Sequence, residues 1–275
     1  MKQTNKGFRI GSHIILGIVS LIVIIPFLLL VSSSFTREQT LIARGYSILP
    51  REFSFEAYRY LFAGAGNIFK AYGITFLVTV LGTAAGLLMT VLLAYALSVE
   101  KLPFRKTLSF FVFFTMLFNG GLIPTYMMYT NVFHIKNTLA ALIVPSLMVN
   151  AFFVIIARSY FSSSIPAAVL EAARIDGLSE LRIFFQMFIP TMRSTYAAAM
   201  TITFMNAWNS YLWPKVIMTN SDSQTMPMVV ANLTQGYVTD YGMLMLAVLI
   251  CTLPTAIVFF CLQNAFAEGI TGAVK

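Results

Sequence analysis

The sequence predicts an all-α membrane protein: one membrane domain, residues 1–275, with six transmembrane helices and both termini in the cytoplasm. Three observations lead there. Hydrophobic residues are 58% of the chain and charged residues 10%, where a soluble domain carries about a quarter charged, and mean hydropathy is +0.81. The 18 Lys and Arg and the 10 Asp and Glu are confined to connectors, leaving six uncharged stretches. Alternating strand patterns are absent, and in lipid only helices and closed barrels satisfy their own backbone.

The uncharged stretches run 11–36, 71–99, 107–133, 137–157, 194–214 and 241–267, each meeting the length of about 20 residues that crosses a bilayer. Helices are therefore expected at 13–33, 72–98, 107–129, 138–157, 194–214 and 242–264. The first stretch follows Lys2, Lys6 and Arg9 in the manner of a signal peptide. Its apolar run is too long for one and no A-x-A site follows, so it is expected to stay as the first span. Orientation follows the basic residues. With the N-terminus inside, the inner segments hold Lys2, Lys6 and Arg9, then Lys101, Arg105 and Lys106, then Arg158, Arg174, Arg182 and Arg193, and last Lys275. The two short outer connectors hold one each, Lys136 and Lys215. The outer connector 36–70 departs from the rule with Arg37, Arg44, Arg51, Arg59 and Lys70, diluted by Glu38, Glu52 and Glu56.

Composition also excludes. A net charge of +8 fits this inner-face bias and says nothing of nucleic acid. No charge lies inside a span, where an ion-coupled pump keeps its ion-binding group. His13 and His134 sit near span ends, where hydrated structural histidines are expected. No G-x-x-x-x-G-K-[ST] loop, H-E-x-x-H or nucleophile–base pair occurs, so neither ATP binding of that kind nor catalysis is expected on this chain. Cys251 and Cys261 lie roughly 15 Å apart on one helix, too far to pair; they read as small core residues, and no metal site is suggested.

The connector 158–193 differs from the others. Ser162, Ser163 and Ser164 offer N-caps and Pro166 falls in a first turn. Ala167, Ala168, Leu170, Glu171, Ala172 and Ala173 are strong helix formers. Gly177 supplies a left-handed turn that ends the helix, Ser179 with Glu180 starts another, and Pro190 precedes the fifth span. Alanines at 167, 168, 172 and 173 leave a thin helix open to close approach, and Glu171 and Arg174 share a face. These residues alone fit a docking site for a partner protein and an amphipathic loop at the headgroups equally well.

The order Glu171-Ala172-Ala173, Asp176-Gly177, Met187, Ile189, Pro190 resembles the EAA signature of permease subunits of ATP-binding-cassette (ABC) importers. Met187 and Ile189 stand where that pattern has Ile and Leu, and Met192-Arg193-Ser194 replaces a second proline. WNSYLWP at 208–214 resembles the end of the fifth span in carbohydrate permeases of the maltose type, with Ser210 at a place often acidic there. YVTDYGMLMLA at 237–247 and QNAFAEGITGAVK at 263–275 resemble that family's last span and tail, and FNGGLIPTYM at 118–127 its polysaccharide branch. The resemblance implies a type I ABC importer permease fold in a bacterial cytoplasmic membrane, carrying oligosaccharides or another carbohydrate. It implies a second homologous permease, two cytoplasmic ATPases that hold ATP and Mg, and an extracellular or periplasmic solute-binding protein, with no cofactor on this chain. It implies that Glu171, Ala172, Ala173, Arg174, Asp176 and Gly177 couple to the ATPases. An importer of another solute, or a non-transporting membrane scaffold, remains the alternative.

Other features bear on a pathway. Gly82, Gly86, Thr90, Ala94 and Ser98 make a small-residue face on the second span, for packing within the chain or against another permease. Pro26, Pro124, Pro145 and Pro254 interrupt spans, which borders cavities in some membrane proteins. Asn206, Trp208, Asn209 and Tyr211 crowd the outer end of span five, where amides and a ring suit a sugar; Trp213 reads as part of an interfacial belt. Asn119 is a further candidate of the same kind. The connector 215–240 reads as a solvated loop that the resemblance places near the binding protein, and the tail 268–275 as a second ATPase contact.

Overall fold

The computed structural model describes residues 6–63, 65–234 and 240–273, and all of its regular structure is helical. By contacts the chain forms two units, residues 1–69 with 226–254, and residues 70–225 with 255–275. The expectations for Lys2, for the segment 237–239 and for Lys275 fall outside the described residues, as do those for the side chains of the tail 268–273.

The first unit begins with α1 (Lys6–Ser34), which contains Pro26 without a break. None of the apolar window of α1 is buried within the chain, as a lipid-facing helix requires. Next come α2 (Glu38–Arg44) and α3 (Glu56–Ala63), and a bridge pairs Thr36, just ahead of α2, with Phe53, just ahead of α3. Phe35 stacks on Phe53 at 5.3 Å and on Tyr58 at 4.9 Å. Later in the sequence come α14 (Met226–Leu233) and α15 (Tyr241–Ala273). The connector 215–240 is thus partly helical, with Met226 and Met228 buried. A helix start leaves four N–H groups without partners, and α15 satisfies three of them with carboxylates. Glu38 Oε1 and Oε2 accept from Tyr241 and Gly242 at 3.0 and 2.9 Å, and Asp240 Oδ1 accepts from Met243 at 2.8 Å. Burial nevertheless raises the Glu38 carboxyl above its ordinary value, outweighing those N–H bonds, with the Asp240 charge adding to the rise.

In the second unit α4 (Ala65–Ser98), counted here from Lys70, is followed by α5 (Arg105–Leu117) and α6 (Leu122–Met127), the last running into a π-helical turn at Met128–Val132. The expected third span is therefore bent, by 115° between its halves. Gly121 sits at φ 83°, a region open to glycine, and Asn119 Oδ1 accepts its N–H at 2.8 Å. The fourth span is interrupted as well. After α7 (Ala140–Ile143) a 3-10 turn at Val144–Leu147 holds Pro145, Met148 is extended, and α8 (Ala151–Ser164) resumes. Asn150 caps α8 by accepting from Phe153 N–H at 3.2 Å. The loop helix α9 (Ala167–Ile175) leads to α10 (Glu180–Ile183), a π-helical turn at Phe184–Phe188, α11 (Ile189–Thr191), α12 (Arg193–Trp208) and α13 (Leu212–Ile217).

Among the described residues four helices are long and apolar enough to cross a membrane, Ile10–Ser34, Gly66–Ser98, Ala140–Ser164 and Tyr241–Ala267, and the bent pair makes five. The segment 194–214 differs from expectation. Its helix stops at Trp208, where Asn209 Nδ2 donates to the Met205 carbonyl at 2.8 Å. Ser162–Ser164 also differ, because they finish α8 and do not cap α9. Ile165, preceding Pro166, is extended, as a residue before proline is, so Pro166 takes the N-cap position. Cys251 is buried as expected of a core residue, whereas Cys261 is exposed. His134 holds a left-handed φ of 53°.

The small-residue face of α4 packs within the chain. A Cβ on Gly86 would lie 2.1 Å from the Ser146 carbonyl oxygen, and one on Gly82 would lie 2.8 Å from Ser146 Oγ. Thr90 Oγ1 accepts from Asn150 N–H at 3.2 Å. Glycine is thus required where the broken segment crosses α4. Gly86→Ala is expected to cost about 1–3 kcal/mol through overpacking, read as a lowered melting temperature in detergent. Gly73→Ala, with open space around its Cβ, serves as the control that does not destabilise.

Candidate functional site

The loop helix α9 ends in a fully hydrogen-bonded turn. Gly177, at φ 80°, donates to the Arg174 carbonyl at 3.1 Å while Leu178 donates to the Ala173 carbonyl at 3.1 Å. That pair of bonds is the Schellman arrangement. Nothing lies within 4 Å of a Cβ built at Gly177, so backbone conformation and not space makes this position a glycine. Ser179 then caps α10, its hydroxyl accepting from Arg182 N–H at 3.4 Å.

One side of α9 rests on a buried cluster. Tyr95 and Leu97 from α4, Phe161 from α8, and Ile183, Phe184 and Phe188 form it, with Leu170, Ala173 and Leu178 packed on top. The rings are close: Phe161 to Phe188 is 4.4 Å and Tyr95 to Phe188 is 5.2 Å between centroids. A polar latch crosses the cluster's edge. Arg174 Nε donates to Glu180 Oε1 at 2.7 Å, and the Tyr95 hydroxyl donates to Glu180 Oε2 at 2.5 Å. The guanidinium of Arg174, and after it the Tyr95 hydroxyl, hold the Glu180 carboxyl below its ordinary value. Glu171 lies 3.7 Å from Lys101, both well exposed, a pair worth little on its own. Beside α9 a groove of about 800 Å³ is walled by Lys101, Pro103, Glu171, Arg174, Ile175 and Glu180.

The other side of α9 is open. Ala168, Ala172, Asp176 and Gly177 are exposed, and Ile175 is 86% exposed at the tip. Of the expected coupling residues, Ala172, Asp176 and Gly177 lie on the open side, Glu171 is exposed at the groove beside Lys101, and Ala173 and Arg174 face the chain and hold the helix down. Glu180 was expected only as the start of the second helix, and Tyr95 was not anticipated. The Arg174–Glu180 contact spans a turn and the Tyr95 contact spans 85 positions, beyond any local spacing rule.

A second feature lies in the same unit. A cavity of about 370 Å³ opens between α4, the interrupted fourth span and the α12–α13 junction. Of the five pathway candidates it takes in Asn206. Trp208 is fully buried, stacked on Phe204 at 5.9 Å and edge-on to Tyr72 at 5.4 Å. Asn209 caps the end of α12, Lys215 Nζ sits 5.4 Å from the Tyr211 ring centre, and Asn119 supports the Gly121 turn. Trp213 lines the cavity and its Nε1 donates to the Ala141 carbonyl at 2.9 Å. Thr75, Thr79 and Thr90 also line it. Their recurrence at helical spacing along an apolar span, together with Thr83, is the signal that would have found them.

A helical membrane chain that braces a short capped helix outside its spans and keeps a cavity with hydroxyl and amide groups in its wall is built as a transport permease. The chain belongs to the family of binding-protein-dependent transport system inner membrane components, whose family model matches residues 4–272. It is 36% identical over 200 residues to the lactose transport system permease protein LacG of Rhizobium radiobacter, covering 72% of each chain. It is 31% identical to the polygalacturonan/rhamnogalacturonan transport system permease protein YtcP of Bacillus subtilis (strain 168), covering 98% of this chain and 99% of that one. Among solved structures, a chain of a bacterial ABC transporter involved in import of the acidic polysaccharide alginate superposes with a TM-score of 0.82. It is 24% identical, covering 96% of this chain and 98% of that one, which shows a shared fold. A second structure, of the alginate transporter bound to its pentasaccharide-loaded periplasmic protein, matches at a TM-score of 0.65 and 13% identity over 94% of this chain and 93% of that one.

The latch should respond to acid. Because Glu180 is held below its unfolded value, its contribution is complete above the ordinary glutamate range and is lost as pH falls through the lower folded value. Hydrogen exchange at the Gly177 and Leu178 amides, corrected for intrinsic rate, should speed up across that window in the wild type. In Glu180→Gln it should already be fast and show no such step; protection equal to wild type would contradict the latch.

Proposed function

We propose that this chain is the permease subunit of an ATP-driven oligosaccharide importer, crossing the membrane six times with both termini in the cytoplasm. In this reading α12 and α13 together make the fifth span, the bent pair α5–α6 the third, and the loop 158–193 lies on the inner face. The relatives named for lactose and for polygalacturonan/rhamnogalacturonan support a carbohydrate cargo. The related alginate transporter, crystallised with a loaded periplasmic protein, supports delivery by a solute-binding protein. ATP and its magnesium then belong to two ATPase partners, and a second permease completes the pathway.

The observation that carries this reading is Ile175, 86% exposed on a helix whose end is tied off by the Gly177 turn. In this reading that apolar side chain, held out from a rigid mount beside exposed alanines, is the anchor that a partner's pocket takes. The Ala172, Ile175 and Asp176 side of α9 fits into an ATPase groove with Glu171 at its edge, and closure of the ATPases shifts α9 as a unit. Packed elements move between discrete arrangements and do not stretch, so the shift reaches α4 through the aromatic cluster and the latch. No bond is made or broken on this chain.

Gly177→Val is the test. A branched residue at φ 80° is strained by about 1–2 kcal/mol, which displaces the anchor without unfolding the spans. In the assembled complex this variant should insert and accumulate normally while ATP hydrolysis stimulated by loaded binding protein falls at least about tenfold, a loss of roughly 1.4 kcal/mol of coupling. Undiminished stimulation would contradict docking through α9.

A further inference from the structure

The 370 Å³ cavity lies within the range of about 300–1,000 Å³ typical of small-molecule sites, and its wall is unusual for a membrane interior. In a lipid-facing helix a threonine satisfies its hydroxyl on the carbonyl four residues back. Thr75 and Thr90 do so, at 2.8 Å each. Thr79, on the same helix, is fully buried with no hydrogen-bond partner, and Thr225, which also lines the cavity, is likewise buried and unpartnered. Each such hydroxyl costs about 1–3 kcal/mol if nothing meets it. Asn206 adds an amide to the same wall. The cavity is fronted by the interrupted helix at Pro145–Ser146, and non-helical backbone at membrane depth is tolerated only where protein buries it or a wet cavity meets it. Trp213 supplies an aromatic surface. Among the described lining residues none is charged.

We infer that this cavity is a saccharide subsite on the chain itself, shaped for a segment of a neutral oligosaccharide and unsuited to a uronate or a phosphate. Hydroxyls and amides exchange hydrogen bonds with sugar hydroxyls in either direction, and the Trp213 ring takes the apolar face of a pyranose. A carboxylate or phosphate taken out of water needs a cation or several N–H donors around it, and this wall offers no cation. The inference rests on the importer reading above and adds to it a contact and a charge preference. The relatives' named cargoes divide along that line: lactose is neutral, whereas polygalacturonan and alginate carry carboxylates.

The experiment uses the complete complex in proteoliposomes, with radiolabelled neutral oligosaccharides set against uronate oligomers of the same length. Wild type should take up neutral oligomers in an ATP-dependent manner and exclude the uronates. Thr79→Val and Asn206→Leu should each cut uptake about tenfold, the worth of roughly one hydrogen bond, and Thr79→Ser should restore it. Thr79→Val should leave the melting temperature unchanged or higher, because it removes an unpartnered buried hydroxyl. Full uptake by the variants, uptake losses that track a fall in melting temperature, or uronates carried as well as neutral oligomers would each overturn the subsite and leave the importer reading standing. Absence of ATP-dependent uptake of either class by wild type would defeat the importer reading and the subsite with it.

Discussion

Hydrocarbon offers no hydrogen bonds, so a membrane helix that breaks must have its freed backbone groups met by protein or by enclosed water. Here that constraint falls on residues 144–150, where the fourth span is interrupted. It is met because α4 presents Gly82 and Gly86 to Ser146 and a threonine hydroxyl to the Asn150 N–H. The missing side chains on α4 are what let the broken segment lie flush against it. The cavity follows from the same arrangement: an interrupted helix beside a helix of small residues leaves a gap, and threonine and serine hydroxyls form part of its wall.

The helix that covers the break also anchors the loop 158–193. Gly82 and Tyr95 are about 20 Å apart along α4 at 1.5 Å per residue. At one end the helix meets the cavity, and at the other Tyr95 meets Glu180 and the Phe161–Phe184–Phe188 cluster. A single uninterrupted helix thus touches both sites, and a coupled motion has a continuous packed route between them. The loop contributes a stiff mount, because α9 is pinned through Leu170, Ala173 and Arg174 on one side and closed by Gly177 at its end.

Much of this was legible in the residue order, for a physical reason in each case. Charge-free length reports lipid contact directly, so α1, α4 and α15 stand where the uncharged stretches predict them. Asp176-Gly177 announced its turn because few residues but glycine adopt φ 80°. Pro145 marked one break in advance, whereas Pro26, Pro124 and Pro254 stay inside helices, so the remaining breaks were harder. Hydropathy counts apolar side chains and is blind to whether the backbone between them stays helical, which depends on a neighbour such as Gly86. The bend at Phe118–Gly121 and the stop at Trp208 escaped it in the same way. Ser162–Ser164 misled because serine suits a helix start but is tolerated at an end, and Pro166 decided between the two. Trp208 resembled a sugar platform by type, yet Tyr72, 136 positions earlier in the chain, covers its ring.

The central claim is that the work of translocation reaches these spans from a separate nucleotide-hydrolysing partner. Uptake of labelled oligosaccharide into ATP-loaded proteoliposomes measures it most directly, comparing the permeases and binding protein with and without the ATPase subunits. Accumulation against a gradient only when the ATPases are present is the predicted result. Accumulation of cargo by vesicles that lack them would contradict it.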